Sequence, residues 1–404
     1  MNVELKLKGV NQNAIQEMNR SLILHLLWEY TLCSRAKLAQ LTGLKPATLS
    51  NVINSFIEWG IVKEEGSIDG KKGRRAIGIR LDTERYCIVA IRLSQKYFSV
   101  GLFDISGKEI EHDTHFYDGN TNTSKDVFDR IRQEIRRRIE ENVPRKILAI
   151  GFAIPGPFIR KDGRIALMSE FTHWKDIFIK AELEAEFSIP VYLEHDAHVG
   201  AFAEYWHMSC NREIDLVYIA AGQGIGTGII TNGTLYKGGL GSAGEIGHTC
   251  VEVNGLQCEC GSKGCLEKYC SSLALTAEVN KKLSAGADSI LHPNCSFDEI
   301  VEAIQKGDHL ARNEYMRTCE YLSVGVINII NLLNPHIIVI GDEMSRVDAN
   351  LLLFIINKNV ENHILPKIKE FTKIMINPTD SFLTGACIYT LEEIFKNPVV
   401  FQKK

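Results

Sequence analysis

The stretch from Gly244 to Glu267 constrains this chain more than any other. It reads G-E-I-G-H, then nine residues, then C-E-C-G-S-K-G-C-L-E. His248, Cys258, Cys260 and Cys265 therefore fall in the spacing H-x9-C-x-C-x4-C. Four such ligands close a tetrahedral zinc site with no open position, which suits structure rather than catalysis. Gly255, Gly261 and Gly264 flank them, and loops wound tightly around an ion need such residues. The competing reading is four reduced side chains that never meet. Two carboxylates share the stretch: Glu245 stands three before His248 and Glu267 two after Cys265. A metal-fixed loop presenting carboxylates and an imidazole edge suits a polyhydroxyl ligand, because each accepts hydrogen bonds from hydroxyls. By spacing alone, both glutamates fit a solvated surface equally well.

At 404 residues the chain has room for two or three domains. Its net charge of -4 excludes a wholly basic nucleic-acid binder but hides an asymmetry. Residues 1–82 hold 12 Lys and Arg against 8 Asp and Glu, and the remainder 34 against 42. A mildly basic head on an acidic body points to an anionic partner for the head alone. Eleven cysteines without a signal peptide predict a cytoplasmic protein whose thiols are free or metal-bound. Residues 321–341 carry no formal charge, yet Asn328, Asn331, Asn334, Pro335 and His336 interrupt them. A buried helix followed by a buried strand is expected there, not a membrane span.

In the head, Ile15, Met18, Leu22, Leu26 and Tyr30 recur at intervals of three and four, predicting a helix with that face inward. Ser34 caps a second helix with Leu38 and Leu41 inward. Gly43 then permits a sharp turn, and Pro46 suits the first turn of a third helix. Leu49, Val52, Ile53 and Phe56 face its core, leaving Thr48, Ser50, Asn51 and Asn54 outward. This is a helix–turn–helix whose last member is a candidate for the major groove. Two strand-like runs follow around a tip holding Lys71, Lys72, Arg74 and Arg75, a wing suited to phosphates or a narrow minor groove. Alone that run would be a solvated hairpin; beside the turn helix it reads as DNA-binding. Arg35, Lys45, Thr48, Ser50, Asn51 and the four wing cations are the candidate DNA contacts.

Beyond residue 83, apolar strand-like runs at 86–93, 98–104, 147–154, 190–194, 215–221, 337–341 and 373–376 alternate with helical patterns, including 123–142, 197–207 and 383–395. That alternation gives an α/β body. His195-Asp196 lies at the carboxyl end of one strand, where open α/β sheets bind ligands. The glycine run 222–228 fits either a nucleotide loop or a tight hairpin.

With these motifs in hand, the chain resembles the ROK family, named for repressors, open reading frames and kinases. G-E-I-G-H with the cysteine cluster, H-D at 195–196, P-G-P at 155–157 and the glycine run carry the resemblance. S-R-A-K-L-A-Q-L-T-G-L and G-R-R-A-I are similar to its repressor branch, the xylose and N-acetylglucosamine repressors. The resemblance implies a winged helix–turn–helix before an actin-like ATPase (ribonuclease H-like) body of two α/β lobes. It implies structural zinc on His248, Cys258, Cys260 and Cys265, and sugar contacts at Asp196, Glu245, His248 and Glu267. His248 would serve both, one ring nitrogen for each. The family's usual Asn before the aspartate is His195, so the recognised hydroxyl pattern differs. Family kinases open with D-x-G-G-T; here those positions fall on Arg92, Ser94, Gln95 and Lys96. Phosphoryl transfer depends on such positioning groups.

The expectation is therefore a non-enzymatic, sugar-responsive repressor of carbohydrate genes. Its regions are a head over 1–82, a first lobe over 83–195 plus a closing helix at 380–404, and a second lobe over 196–379. Its partners would be operator DNA, a sugar or sugar derivative and a second or further copies of itself, as a homodimer or homotetramer. The alternatives are a ROK-type sugar kinase using ATP, or a repressor governed by a sugar-transport protein.

Overall fold

The computed structural model describes residues 11–68, 76–118, 121, 123–156, 174, 176–208 and 214–402. The head holds α1 (Gln12–Tyr30), β1 (Cys33–Ser34), α2 (Arg35–Thr42), α3 (Pro46–Trp59), β2 (Val62–Ile68) and β3 (Ala76–Leu81). Ser34 caps α2 by accepting from the Lys37 amide, and Gly43 ends it at φ 68°, a conformation costly for any residue with a Cβ. Pro46 opens α3, whose Leu49, Val52, Ile53 and Phe56 are buried as expected. The three strands pair in the order β1-β3-β2, an antiparallel ribbon beside the helices. Lys71, Lys72, Arg74 and Arg75 lie outside the described residues.

The inward face of α1 differs from the expected one. Ile23, Leu24, Leu26, Leu27 and Trp28 are buried, whereas Ile15, Met18 and Tyr30 are exposed, as is Leu41 of α2. A three-to-four repeat finds an apolar stripe but not what covers it, and the residues that α1 buries all lie in its second half. There Trp28 stacks on Trp206 with ring centroids 3.7 Å apart. Trp28 Nε1 donates to the Ser106 carbonyl at 2.9 Å. His25 Nε2 meets Glu392 at 2.9 Å.

The body repeats one topology twice. Its first sheet comprises β4 (Tyr86–Leu93), β5 (Tyr97–Asp104), β6 (Glu109–Phe116), β7 (Lys146–Ile154) and β8 (Val191–His195), ordered β6-β5-β4-β7-β8. Its second comprises β9 (Leu216–Ala221), β10 (Ile225–Thr231), β11 (Thr234–Leu235), β12 (Ile337–Gly341) and β13 (Lys373–Ile376), ordered β11-β10-β9-β12-β13. Each is an antiparallel meander extended by two parallel strands. Asn232 and Gly233, both at positive φ, turn β10 into β11 as their sequence predicts. The edge strand β6 escaped the sequence reading because six of its eight residues are exposed, so no buried alternation marks it.

Helix α4 (Ser124–Glu141) starts with a capping box between Thr123 and Asp126 and buries Val127, Phe128, Ile131 and Ile135. It also buries Arg138, whose guanidinium meets Glu111 and Asp113 of β6. Helices α5 (Ile179–Phe187) and α6 (Asp196–His207) bracket β8. The second sheet carries α7 (Glu267–Cys270), α8 (Ser272–Ser284), α9 (Phe297–Gln305), α10 (His309–Leu333), α11 (Glu343–Val347), α12 (Ala349–His363) and α13 (Pro366–Phe371). The uncharged run 321–341 is the end of α10 followed by β12, and no described helix is long and apolar enough to cross a membrane. Helix α14 (Phe382–Lys396) closes the described body; it packs against α6, β4, β7 and α1. A single apolar cluster runs from the head through α6 and α14 to β9, so head and body share a core.

Candidate ligand cleft, metal loop and DNA-facing helix

The carboxyl ends of β4, β8, β9 and β12 open on a cleft of about 1370 Å³. His195, Asp196, Glu245, His248 and Glu267 all line it, with Gln223, Gly224, Ser271, Asp342 and Glu343. Asp196 opens α6 directly after β8, and its Oδ1 accepts from the Ala197 amide at 2.6 Å. Burial lifts its carboxyl to about 6 against the pull of Arg92. His195 Nε2 lies 3.3 Å from Asp196 Oδ1. Burial, with the neighbouring His198, holds the His195 ring down to about 4, so it is neutral at neutral pH. Carboxylate, neutral imidazole and amide in one partly open cleft can exchange hydrogen bonds with vicinal hydroxyls.

Donor atoms of His248, Cys258, Cys260 and Cys265 lie within 4.8 Å of one another. Cys260 Sγ is 3.6 Å from Cys265 Sγ, and Cys258 Sγ is 3.7 Å from His248 Nδ1. Tetrahedral zinc–thiolate geometry puts neighbouring ligand atoms about 3.8 Å apart, so the donor set fits that ion. Gly264 takes φ 70° where a Cβ would strike the Glu252 carbonyl, and that winds the loop. His248 turns Nδ1 toward the thiols. Glu267 Oε1 sits 3.2 Å from Cys258 Sγ, while Oε2 faces Gly224 across the cleft. Glu267 thus borders both loop and cleft.

Gly222, Gln223 and Gly224 form a tight turn between β9 and β10: the Gly222 amide donates to the Gly224 carbonyl at 3.0 Å. Farther along β10, a Cβ at Gly228 would lie 2.3 Å from the Ala197 carbonyl. That glycine lets α6 cross the strand closely. Pro157 of the P-G-P run lies outside the described residues.

Arg92 keeps only 7% of its side chain exposed and ion-pairs with Asp380. Its other nitrogen lies 3.7 Å from Asp342, and the guanidinium stacks 4.2 Å over the Phe382 ring. Asp342 holds φ 72°, rare for a residue with a side chain, and burial raises both its carboxyl and that of Glu343. Sequence reasoning missed Asp342, Glu343 and Asp380. G-D-E at the end of the apolar run 337–341 was the available signal for the first two, since ligands gather at such strand ends. Asp380 sits in a loop with no comparable mark.

On the head, Lys45, Thr48, Asn51 and Asn54 are exposed on α3 or at its start, and Ser50 is half-buried. Arg35 is already engaged: its guanidinium contacts Glu64 Oε1 at 2.6 Å and Asn54 Oδ1 at 3.4 Å.

Comparison with known proteins agrees with this architecture. The ROK family signature spans residues 88–386. A xylose repressor from Caldicellulosiruptor bescii is 29% identical over 347 residues, covering 83% of this chain and 85% of its own length. The DNA-binding transcriptional dual regulator NagC of Escherichia coli is 29% identical over 345 residues, covering 85% and 84%. The crystal structure of a ROK family transcriptional regulator, a homolog of the E. coli MLC protein, superposes with a TM-score of 0.82 at 23% identity, over 96% of this chain and 98% of that one. A Streptomyces griseus ROK glucokinase, solved with glucose and AMPPNP, gives 0.63 at 23% identity over 74% of this chain and 98% of its own. The regulator thus shares head and body, and the kinase leaves about a quarter of the chain unmatched. With its signature over most of the body and the doubled sheet to match, this chain belongs to the ROK family.

Proposed function

We propose that the protein is a sugar-responsive transcriptional repressor of carbohydrate uptake or metabolism genes, acting in the cytoplasm. The observation that carries the reading is one chain joining an outward-facing α3 to a cleft where Asp196, His195, Glu245, His248 and Glu267 converge. The relatives named as xylose repressor and as the regulator NagC support it. Residues 1–82 form the DNA-binding unit, and the lobes divide at about 195–196, with the last helix returning to the first. Asn51, Thr48 and Ser50 read bases, while Lys45, Arg35 and the wing cations hold phosphates. A homodimer sets two recognition helices roughly 34–36 Å apart, one DNA turn. Sugar in the cleft favours a closed body by about 1–3 kcal/mol and changes that separation, releasing the operator.

One structural zinc per chain rests on His248 Nδ1, Cys258, Cys260 and Cys265, leaving Nε2 of His248 for sugar hydroxyls. The ion supplies the loop's rigidity; Glu245 and Glu267 then accept hydroxyl hydrogens from fixed positions. The protein is not an enzyme on this reading. Arg92, Asp342 and Glu343 line the side of the cleft that the family resemblance gives to phosphate, and Arg92 is held by Asp342 and Asp380 rather than left free for a nucleotide. A gel shift on the protein's own promoter region, with and without a panel of pentoses, hexoses and amino sugars, tests the reading. Sugar-sensitive operator binding is expected; no operator binding in any condition overturns it. Asn51→Ala should cost about 1–3 kcal/mol of discrimination at one base position, measured by competition with single-base operator variants.

A further inference from the structure

Beside the cleft lies a charged group that neither the metal loop nor the DNA head uses. Glu194 is the penultimate residue of β8 and only 1% exposed. One of its oxygens accepts from the His195 amide at 3.1 Å and meets His198 Nδ1 at 3.0 Å. The other pairs with Lys237 Nζ at 2.9 Å. His198, on the first turn of α6 and 2% exposed, turns its second ring nitrogen to the Ala243 carbonyl at 3.0 Å. Lys237 and Ala243 bound one loop, closed by the Ala243 amide donating to the Lys237 carbonyl at 3.1 Å. Both ends of that loop are thus tied to one buried carboxylate of the first sheet. The next residues are Gly244, whose carbonyl accepts from the Thr227 hydroxyl at 2.8 Å, and Glu245 in the cleft.

A carboxylate this buried is expensive unless its partners are fixed, and here they span both sheets. We infer that His198, oriented by Glu194, is a positioning residue: it holds the loop over 237–244 so that Glu245 meets a bound sugar at a set height in the cleft. The inference rests on the sugar reading for its ligand, but the bracket itself can be tested without one. The bracket ties the loop of the second sheet to the strand end that presents His195 and Asp196. The two sides of the cleft are therefore joined at the corner next to where hydroxyls would bridge them. Supporting residues that lock a contact residue's geometry control affinity without touching the ligand.

The two ring contacts can be separated by substitution. A glutamine amide nitrogen reaches as far as imidazole Nε2, and an asparagine nitrogen as far as Nδ1. His198→Gln should keep the bond to Ala243, and His198→Asn should keep only that to Glu194. Amide hydrogen exchange is followed across residues 236–245 in the full-length, zinc-loaded protein. The Asn variant should exchange faster there, and the Gln variant should match the unsubstituted chain. Equal exchange in both variants overturns the inference, and so does unfolding of both, which would make the ring a packing residue. Calorimetric titration with D-xylose, D-glucose and N-acetyl-D-glucosamine adds the ligand side. A sugar bound by the unsubstituted protein should bind the Asn variant about tenfold more weakly and the Gln variant nearly as well, the loss typical of a removed supporting contact. If none of the three binds, the exchange pattern alone decides the bracket, and the sugar reading is what fails.

Discussion

Beneath the metal loop, Asp196, Glu245 and Glu267 face a common space; elsewhere in the same cleft Asp342, just after β12, meets Arg92, which also pairs with Asp380 from the loop before α14. Both halves of the cleft hold carboxylates, and Asp196 and Asp342 directly follow the parallel strands β8 and β12. They differ in what satisfies those carboxylates. In the first half the neighbours are amides, a neutral imidazole and open cleft, which leaves lone pairs for hydroxyls. In the second the neighbour is a guanidinium stacked on Phe382, which leaves little for a ligand. Similar strand ends can thus present carboxylates either open toward a cleft or already paired, by exchanging a few side chains.

Four substitutions or titrations bear on that contrast, from the largest effect down. Cys260→Ser should drop the metal content from about one ion per chain to near none and cost about 5 kcal/mol or more, since ligand binding and folding are linked in such sites. Elemental analysis and urea melts check it; an unchanged zinc content would break the first half of the comparison. Next, Arg92→Ala strands two carboxylates and should destabilise by about 3–5 kcal/mol. A loss below about 1 kcal/mol in the same melts would mean the second half is not closed by this pairing.

Asp196→Asn should weaken sugar binding by about 1.5–3 kcal/mol, the worth of a hydrogen bond to a charged group, with zinc retained. Calorimetry reads this, and an unchanged affinity would remove Asp196 from the site. The smallest effect concerns pH. His195 is held at about 4 against an ordinary 6.5, so its contribution to stability is present above 6.5 and lost as pH falls toward 4. Asp196 is lifted from 3.8 to about 6, so its contribution is present at low pH and lost as pH rises through 6. The two nearly offset. Asp196→Asn removes one of them, and that variant should gain about 1–3 kcal/mol between pH 4 and 6.5 where the parent changes little. Thermal melts across that window would show it.

Much of this was readable in the sequence because the signals were local. His248 and the three cysteines span 18 positions and meet in space, and Gly43 and Pro46 mark the turn before α3. Strand ends were legible where apolar runs stopped at polar residues, as at His195-Asp196. What escaped was either distant or covered by another element. Arg92 finds its partners some 250 and 288 residues later, a pairing no spacing rule reaches. The stripe holding Ile15 and Met18 was a true amphipathic repeat, yet α1 turns a different face to the body because Trp28 and Trp206 decide how it docks. Strand β6 was lost for the opposite reason: its polar residues are paired by backbone to β5 and need no buried face.

The contact between Trp28 and Trp206 has a practical side. The two indoles, one on each side of the joint, couple their electronic transitions at that separation. Among the described residues they are the only tryptophans stacked face to face. A turn of the head on the body would therefore change the near-ultraviolet dichroism and emission of the unlabelled chain. Any such movement on adding DNA or a sugar could then be followed in real time by a spectrometer, with no dye attached.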